Sequence, residues 1–327
     1  MDLATEQRKD VSQLEKKEEQ GQTVRLLESC TTAEVCQALG GNDDKLLTEL
    51  RNRLRDWLTL QPHLPQDMPE RRLEHFLIST KLSLERAKQR LDLYYTVRRL
   101  VPELLAERDP RGPDVAQFRQ IFQWTCLPKL TPDKYRVTIL KCIDGDASKF
   151  HPWTLFKYTF MIADVRISEC RCLGDIYIYD LAGIKIGHVT KLTPGTIKKA
   201  LVLVTKAYGS RIKGIHFINS PSFVDRLVTL LKSVMKPKLA SRVHVHSVNS
   251  TSLYDVVPKS ILPVDYGGDQ PAMEQLSKSW DDKLYEWSDW FLAQEKCIVN
   301  EKLRCGTTVD VDELFGFSGS FRNLEVD

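Results

Sequence analysis

His244-Val245-His246 is the one place where residue type and spacing suggest a metal pair, because strand alternation would put both imidazoles on one face. A third ligand is not evident, so an ordinary strand pair held by local hydrogen bonds is the better reading, and no metal is expected. The eight cysteines, at 30, 36, 126, 142, 170, 172, 297 and 305, form no C-x-x-C. They read as reduced thiols of a cytosolic protein, and the charged N-terminus has no apolar stretch for a signal peptide. Asp281 and Asp282 fall on the polar face of a helix and read as solvated rather than catalytic. Phosphate loops of the G-x-x-x-x-G-K-[ST] kind, G-x-G-x-x-G, G-x-S-x-G and H-E-x-x-H are all missing. The expectation is therefore a protein that is not an enzyme and has no cofactor.

Two other features stand out. Lys191 to Arg242 contains eleven basic residues and one acid, Asp225; this stretch carries +10, leaving −7 to the remainder of a net +3. Within it, eight of the thirteen residues from Phe223 to Met235 are apolar, and the polar stripe is narrow, with Asp225, Thr229, Lys232 and Ser233 beside the basic Arg226. A wide apolar helix with a basic rim suits a membrane surface or a lid over a greasy cavity, and equally an ordinary core helix. A net charge of +3 does not suggest nucleic acid.

The elements that position these residues divide at about one third of the 327-residue chain. Residues 1–20 are expected to be flexible, 21–125 to form a helical N-terminal domain, 130–295 an α/β domain and 296–327 a tail packed on it. Leu46, Leu47, Leu50, Leu54 and Leu58 recur at helical spacing, a second helix covers 69–80, and a third starts at Ser83 as N-cap. No strand is expected before about residue 134. From there, strands at 135–140, 174–181, 212–219 and 243–247 alternate with helices at 151–165, 192–209 and 221–235, and 272–296 closes the order as a helix or pair of helices. Thr193 is a cap, Pro194 a first-turn residue and Gly209 a stop. Strands joined through helices make a mixed, largely parallel sheet.

The order Asp180-Leu181-x-Gly183, then Gly214-Ile215-His216-x-Ile218-Asn219-x-Pro221, then Leu262-Pro263-x-Asp265-Tyr266-Gly267-Gly268 resembles the CRAL-TRIO lipid-binding family, in its tocopherol- and retinoid-binding branch. The likeness spans about residues 43–292, and the tail GSFRNLEVD is similar to that of insect members. It implies a sheet-floored hydrophobic cavity closed by a mobile helix and loaded with one lipid-like molecule. Carried over by position, the wall would be Phe156, Thr159, Phe160, Ala163, Ile184, Ile186, Ala200, Leu203, Val204, Tyr208, Ile212 and Ile215. The lid would carry Phe223, Val224, Leu227, Val228, Leu230 and Leu231. Arg211, Lys213, Lys238 and Arg242 match a phosphoinositide-binding cleft of that branch. The family's arginine-rich segment in the N-terminal domain reads His75-Phe76-Leu77-Ile78-Ser79-Thr80-Lys81-Leu82 here, keeping only Lys81. The resemblance thus implies a cytoplasmic, membrane-peripheral monomer that transfers a tocopherol-, retinoid- or carotenoid-like cargo. A phosphatidylinositol exchanger and a cargo-free interaction module are the rivals.

Overall fold

The computed structural model describes residues 26–41, 45–247 and 251–316. The expected flexible segment 1–20 and the GSFRNLEVD tail lie outside them.

Five helices begin the chain: α1 (Thr32–Ala38), α2 (Lys45–Thr59), α3 (Glu70–Ser79), α4 (Leu84–Leu100) and the single turn α5 (Pro102–Leu105). Leu47, Leu50, Leu54 and Leu58 of α2 are buried, as the heptad-like spacing requires. Ser83 occupies the N-cap of α4, but its side chain makes no capping bond. After α6 (Pro113–Ile121) the sheet starts earlier than expected, at β1 (Phe122–Leu130), antiparallel to β2 (Tyr135–Cys142). This strand is illegible in sequence because Pro128 and Lys129 break its pattern. An edge strand tolerates them, and the register shifts between Cys126 and Leu130 where Pro128 falls.

The rest alternates: α7 (Pro152–Glu169), β3 (Gly174–Asp180), α8 (Ile186–Thr190), α9 (Pro194–Val202), β4 (Ile212–Ile218), α10 (Val224–Val234), α11 (Pro237–Ala240), β5 (Val243–Val245), α12 (Met273–Glu286), α13 (Ser288–Gln294) and α14 (Val311–Phe315). The sheet order is β1-β2-β3-β4-β5, with β2 to β5 parallel, so the mixed, largely parallel α/β sheet stands. Thr193 caps α9 by accepting from the Thr196 N–H, and Gly209 ends the following turn at φ +70.

Each face of the sheet is covered. Val137, Ile139, Ile176, Ile178 and Ile218 pack against Leu253, Val257, Ile261 and Met273. On the opposite face, Trp124, Leu140, Tyr179 and Phe217 stand in one row across four strands, with Tyr177 and Ile215 in the next. Helices α12 and α13 close the β1 edge, where Trp280 donates to the Cys126 carbonyl at 3.1 Å. Asp281 is a tie, not a solvated acid: it accepts from Arg119 and from the Tyr158 hydroxyl, both at 2.6 Å.

The helical layer shares one core with the α/β part, in which Leu73, Phe76, Leu77 and Leu91 meet Phe160, Ile167 and Leu203. Its polar centre is Asp164 on α7, wholly buried, accepting from Arg98 at 3.3 Å and also from Arg108 and Tyr94. Burial raises a carboxyl's pKa, but the Arg98, Arg108 and Arg72 guanidiniums overcome this and hold Asp164 at about 2. Residues after α13 return to the helical layer: Arg304 pairs with Asp92 at 2.6 Å, and the Asn300 N–H bonds the His63 carbonyl.

Candidate functional site

Between the sheet and helices α7 to α10 lies a cavity of about 190 Å³. Its floor is Trp124, Leu140, Tyr177, Tyr179, Ile215 and Phe217; its sides include Leu155, Phe156, Thr159, Ile184, Ile197, Ala200, Leu201, Val204 and Ile212. Its cover is α10, which presents Leu227, Leu231 and Met235, one stripe at spacing four. Of α10's own residues only Leu227 is fully buried; Val224, Val228 and Leu231 are half-buried against the same cluster, and the outer face is polar.

Seven wall residues named from sequence meet here: Phe156, Thr159, Ile184, Ala200, Val204, Ile212 and Ile215. Phe160, Ala163, Leu203, Tyr208 and Ile186 do not line it. Helix α7 crosses from the cavity to the helical layer, so Phe160 and Ala163 pack with that layer. After α9, Leu203–Ala207 is a π-helical turn. The wider turn delays the helical phase by about one residue, so Leu203 and Tyr208 rotate away from the cavity into the interlayer core. There Tyr208 donates to Asp164 at 3.2 Å rather than offering its hydroxyl to a ligand. Gly209, at positive φ, allows that close approach: a Cβ would lie 2.8 Å from Ser79. Ile184 lines the wall from a turn while Ile186 begins α8 and is 40% exposed, because alternation does not carry across a helix start. In the lid, Leu227 and Leu231 face the cavity; Phe223, Val224 and Val228 pack around the same cluster, and Leu230 is outside it.

Polar atoms in this cavity are few. Thr159 donates to the Leu155 carbonyl at 2.8 Å. The Tyr179 hydroxyl makes no hydrogen bond among the described residues, and burial pushes its pKa up to about 12. His188 lines the wall, and its buried Nε2 has no partner among the described residues. Its Nδ1 accepts from the Lys185 N–H at 3.1 Å, which leaves the ring proton on Nε2, and burial keeps the ring neutral. Sequence reading missed both groups. The alternation of Tyr177 and Tyr179 in β3 was a usable signal; a lone histidine in Gly187-His188-Val189 was not.

The basic residues separate into two sets. Most are spent on the fold: Lys191 donates to three carbonyls at 147, 148 and 150, Lys199 pairs with Glu103 at 2.7 Å, and Lys198 and Lys206 reach carbonyls of Gly316 and Leu314. Of the four residues matched to a headgroup cleft, Arg211 donates to the Leu173 carbonyl at 2.6 Å and Arg242 to that of Ile212. These two meet at the entry of β4. Lys213 lies over the Tyr135 ring at 4.7 Å, and Lys238 is exposed on α11. Arg226, Lys232 and Lys236 on and beside α10 are also exposed and have no ion pair among the described residues.

A second, polar cleft shares Trp124, Thr159, Tyr177 and Val204 with the cavity, is lined also by Phe160, Ala163 and Tyr208, and opens beside Arg71, His75, Arg166, Arg171 and Arg211. His75, in the altered segment, bonds the Tyr208 carbonyl at 2.8 Å. His244 on β5 and His246 just after it cluster with His216: His216 Nδ1 and His246 Nε2 are 2.9 Å apart, and the His216 and His244 rings stack at 5.1 Å. Among the described residues no group of histidines, cysteines or carboxylates is arranged to hold a metal.

The three sequence motifs converge on Asp180 at the far end of β3. It accepts from the Ala182 N–H at 3.1 Å, from Asn219 at 3.0 Å and from the Tyr266 hydroxyl at 3.0 Å. They clasp the strand ends together, and of their residues Leu181 and Ile215 line the cavity.

A family model described as "CRAL/TRIO domain" matches residues 123–268, and one described as "Pinta-like, UBA domain" matches residues 43–115. An alpha-tocopherol transfer protein-like protein of Mus musculus is 25% identical over 252 residues, covering 76% of this chain and 70% of its own. Clavesin-1 of Rattus norvegicus is 32% identical over 141 residues, 42% of this chain and 40% of its own. The solved structure of Sfh5 aligns over 72% of this chain and 91% of its own, with 11% identity and a TM-score of 0.47.

Proposed function

We propose that this chain, whose residues 123–268 match the CRAL/TRIO domain, binds one small hydrophobic molecule beneath α10 and carries it between membranes. The cavity is the observation that carries this reading. Its wall is apolar but for polar atoms of Trp124, Thr159, Tyr177, Tyr179 and His188, the pattern of a site that takes its affinity from burial and its selectivity from a few polar atoms. Each 100 Å² of apolar ligand surface removed from water contributes about 2.5 kcal/mol. The Nε2–H of His188 and the hydroxyl of Tyr179 suit a cargo with one hydroxyl or carbonyl on a hydrocarbon frame. A tocopherol-, retinoid- or carotenoid-like molecule has this form, and the alpha-tocopherol transfer protein-like relative supports the choice.

At about 190 Å³ the cavity is only somewhat larger than the ~150 Å³ that accommodates benzene. An isoprenoid chain therefore requires α10 to move outward, and of that helix only Leu227 is fully buried and has to be uncovered. Docking would use the exposed Arg226, Lys232, Lys236 and Lys238 with Lys213, for which an anionic surface rich in phosphoinositide is the proposed partner. Such attraction is screened within about 10 Å at 0.1 M salt.

The test is solvent extraction of purified protein followed by mass spectrometry, beside transfer of a fluorescent isoprenoid alcohol between vesicles. A neutral lipid recovered in near-equimolar amount, with transfer from phosphoinositide vesicles falling as salt rises, is the expected result. Phospholipid as the sole cargo would replace the reading with that of a phospholipid exchanger. No extractable cargo and no transfer would leave a cargo-free interaction module.

A further inference from the structure

Cys170-Arg171-Cys172 takes no part in the apolar cavity. It joins α7 to β3 at the seam between the helical layer and the sheet. The backbone at Cys170 is extended, with φ −122 and ψ 123, so side chains two residues apart turn to the same side. Arg171 between them lines the same cleft and holds Glu74, its Nε at 2.9 Å from the carboxylate. The two thiols face cations instead: Arg136 Nη2 lies 3.3 Å from Cys170 Sγ, and Arg166 Nη2 lies 3.7 Å from Cys172 Sγ. Both cysteines line the polar cleft, which opens to solvent.

We propose that Cys170 and Cys172 form an oxidisable dithiol, with Cys170 attacking a hydroperoxide and Cys172 resolving the product. In the first step the Cys170 thiolate attacks one peroxide oxygen, the O–O bond breaks, and the departing alkoxide takes a proton. The products are a sulfenic acid and an alcohol. In the second step the Cys172 sulfur attacks the sulfenic sulfur; an S–S bond forms and water leaves. Sulfur loses two electrons and the peroxide gains them.

Three observations favour this pair. A thiolate is the reactive form, and cations beside the sulfur favour it. The Cys172 S–H bond to Cys170, together with Arg136 and Arg166, holds the Cys170 thiol below the ordinary range, and the Cys172 thiol rises correspondingly. The other titratable groups facing the pair are Cys30, Cys126 and Asp175. Secondly, two extended residues span at most about 7 Å, the upper edge of what a disulfide bridges. A bridge there is strained and easily reduced, as a reversible switch requires. Thirdly, the same segment anchors the N-terminal chain: the Cys30 N–H bonds the Arg171 carbonyl at 3.0 Å, and the Arg171 N–H bonds Ser29 Oγ at 2.9 Å. Pulling the two sulfurs together distorts that anchor.

The full chain, with all eight cysteines free, would be treated with one equivalent of hydrogen peroxide or cumene hydroperoxide, then alkylated and mapped by mass spectrometry. The expected result is a fall from eight titratable thiols to six, with a peptide linked across Arg171 and 2 Da lighter than its reduced form. Cys172→Ser should accumulate a dimedone-reactive sulfenic acid on Cys170 at least tenfold above wild type, and dithiothreitol should restore all thiols of the wild type. The proposal is overturned if the exposed Cys305 oxidises first while Cys170 and Cys172 stay alkylatable. It is equally overturned if wild type and Cys172→Ser carry the same dimedone adduct. The wild-type map needs no substitution, so a misfolded variant does not spoil the test.

Discussion

Replacing Val204 with tryptophan should close the cavity without harming the fold. Val204 lies on α9's continuation, on the wall common to the apolar cavity and the polar cleft. A benzene ring fills about 150 Å³ of apolar cavity, so one indole takes most of the roughly 190 Å³ available beneath α10. A cargo displaced from 100–200 Å² of that wall loses about 2.5–5 kcal/mol of burial. The Kd should accordingly rise by at least about fiftyfold, since each 1.4 kcal/mol is tenfold. The new side chain occupies space instead of displacing neighbours, so the melting temperature should move by no more than a few degrees. Titration with a fluorescent isoprenoid, beside thermal melts, reads both quantities. Tyr208→Phe is the control: it removes a hydroxyl that points at Asp164 and should leave cargo affinity unchanged. Wild-type affinity in Val204→Trp would refute the wall. A loss of ~1–3 kcal/mol of stability would show that the space is packed core, since overpacking costs that much.

Two further outcomes follow from the buried charges and histidines. Asp164→Asn leaves Arg98 and Arg108 buried without their counter-charge, and should cost about 3–5 kcal/mol in urea unfolding at pH 7; a cost under 1 kcal/mol would mean the arginines are neutralised otherwise. On acidification, stability should fall in two stages. His75 and His216 are each brought from 6.5 down to about 4 by burial, so the unfolded chain takes up their protons first and roughly 3 kcal/mol per histidine is lost between about pH 6.5 and 4. Asp164, held at about 2 against 3.8, keeps its contribution until the pH falls through that lower window. Urea midpoints that are flat from pH 7 to 4.5 would contradict the first stage.

The amino-acid sequence was sufficient for the element order after β1, the mixed sheet and the likeness to the CRAL/TRIO family, because those depend on local periodicity and on short-range motifs. Leucine spacing set α2, Thr193 and Gly209 set the ends of their helical stretch, and the three motifs identified a fold whose strand ends they clasp through Asp180. The side of each helix that meets the cavity was less legible. Phe160 and Ala163 have the right type and spacing, yet α7 leaves the cavity before it reaches them. Leu203 and Tyr208 depend on a π-helical turn, and nothing in Leu203-Val204-Thr205-Lys206-Ala207 announces one. β1 escaped notice because an edge strand can carry Pro128. The basic stretch looked like one surface in sequence, while the fold spends Lys191, Lys199, Arg211 and Arg242 on its own carbonyls and carboxylates and leaves Arg226, Lys232, Lys236 and Lys238 exposed. Charge and hydropathy are properties of a residue; which cation is free and which apolar face is wall depend on contacts between residues far apart in the chain, and only the tertiary structure decides those.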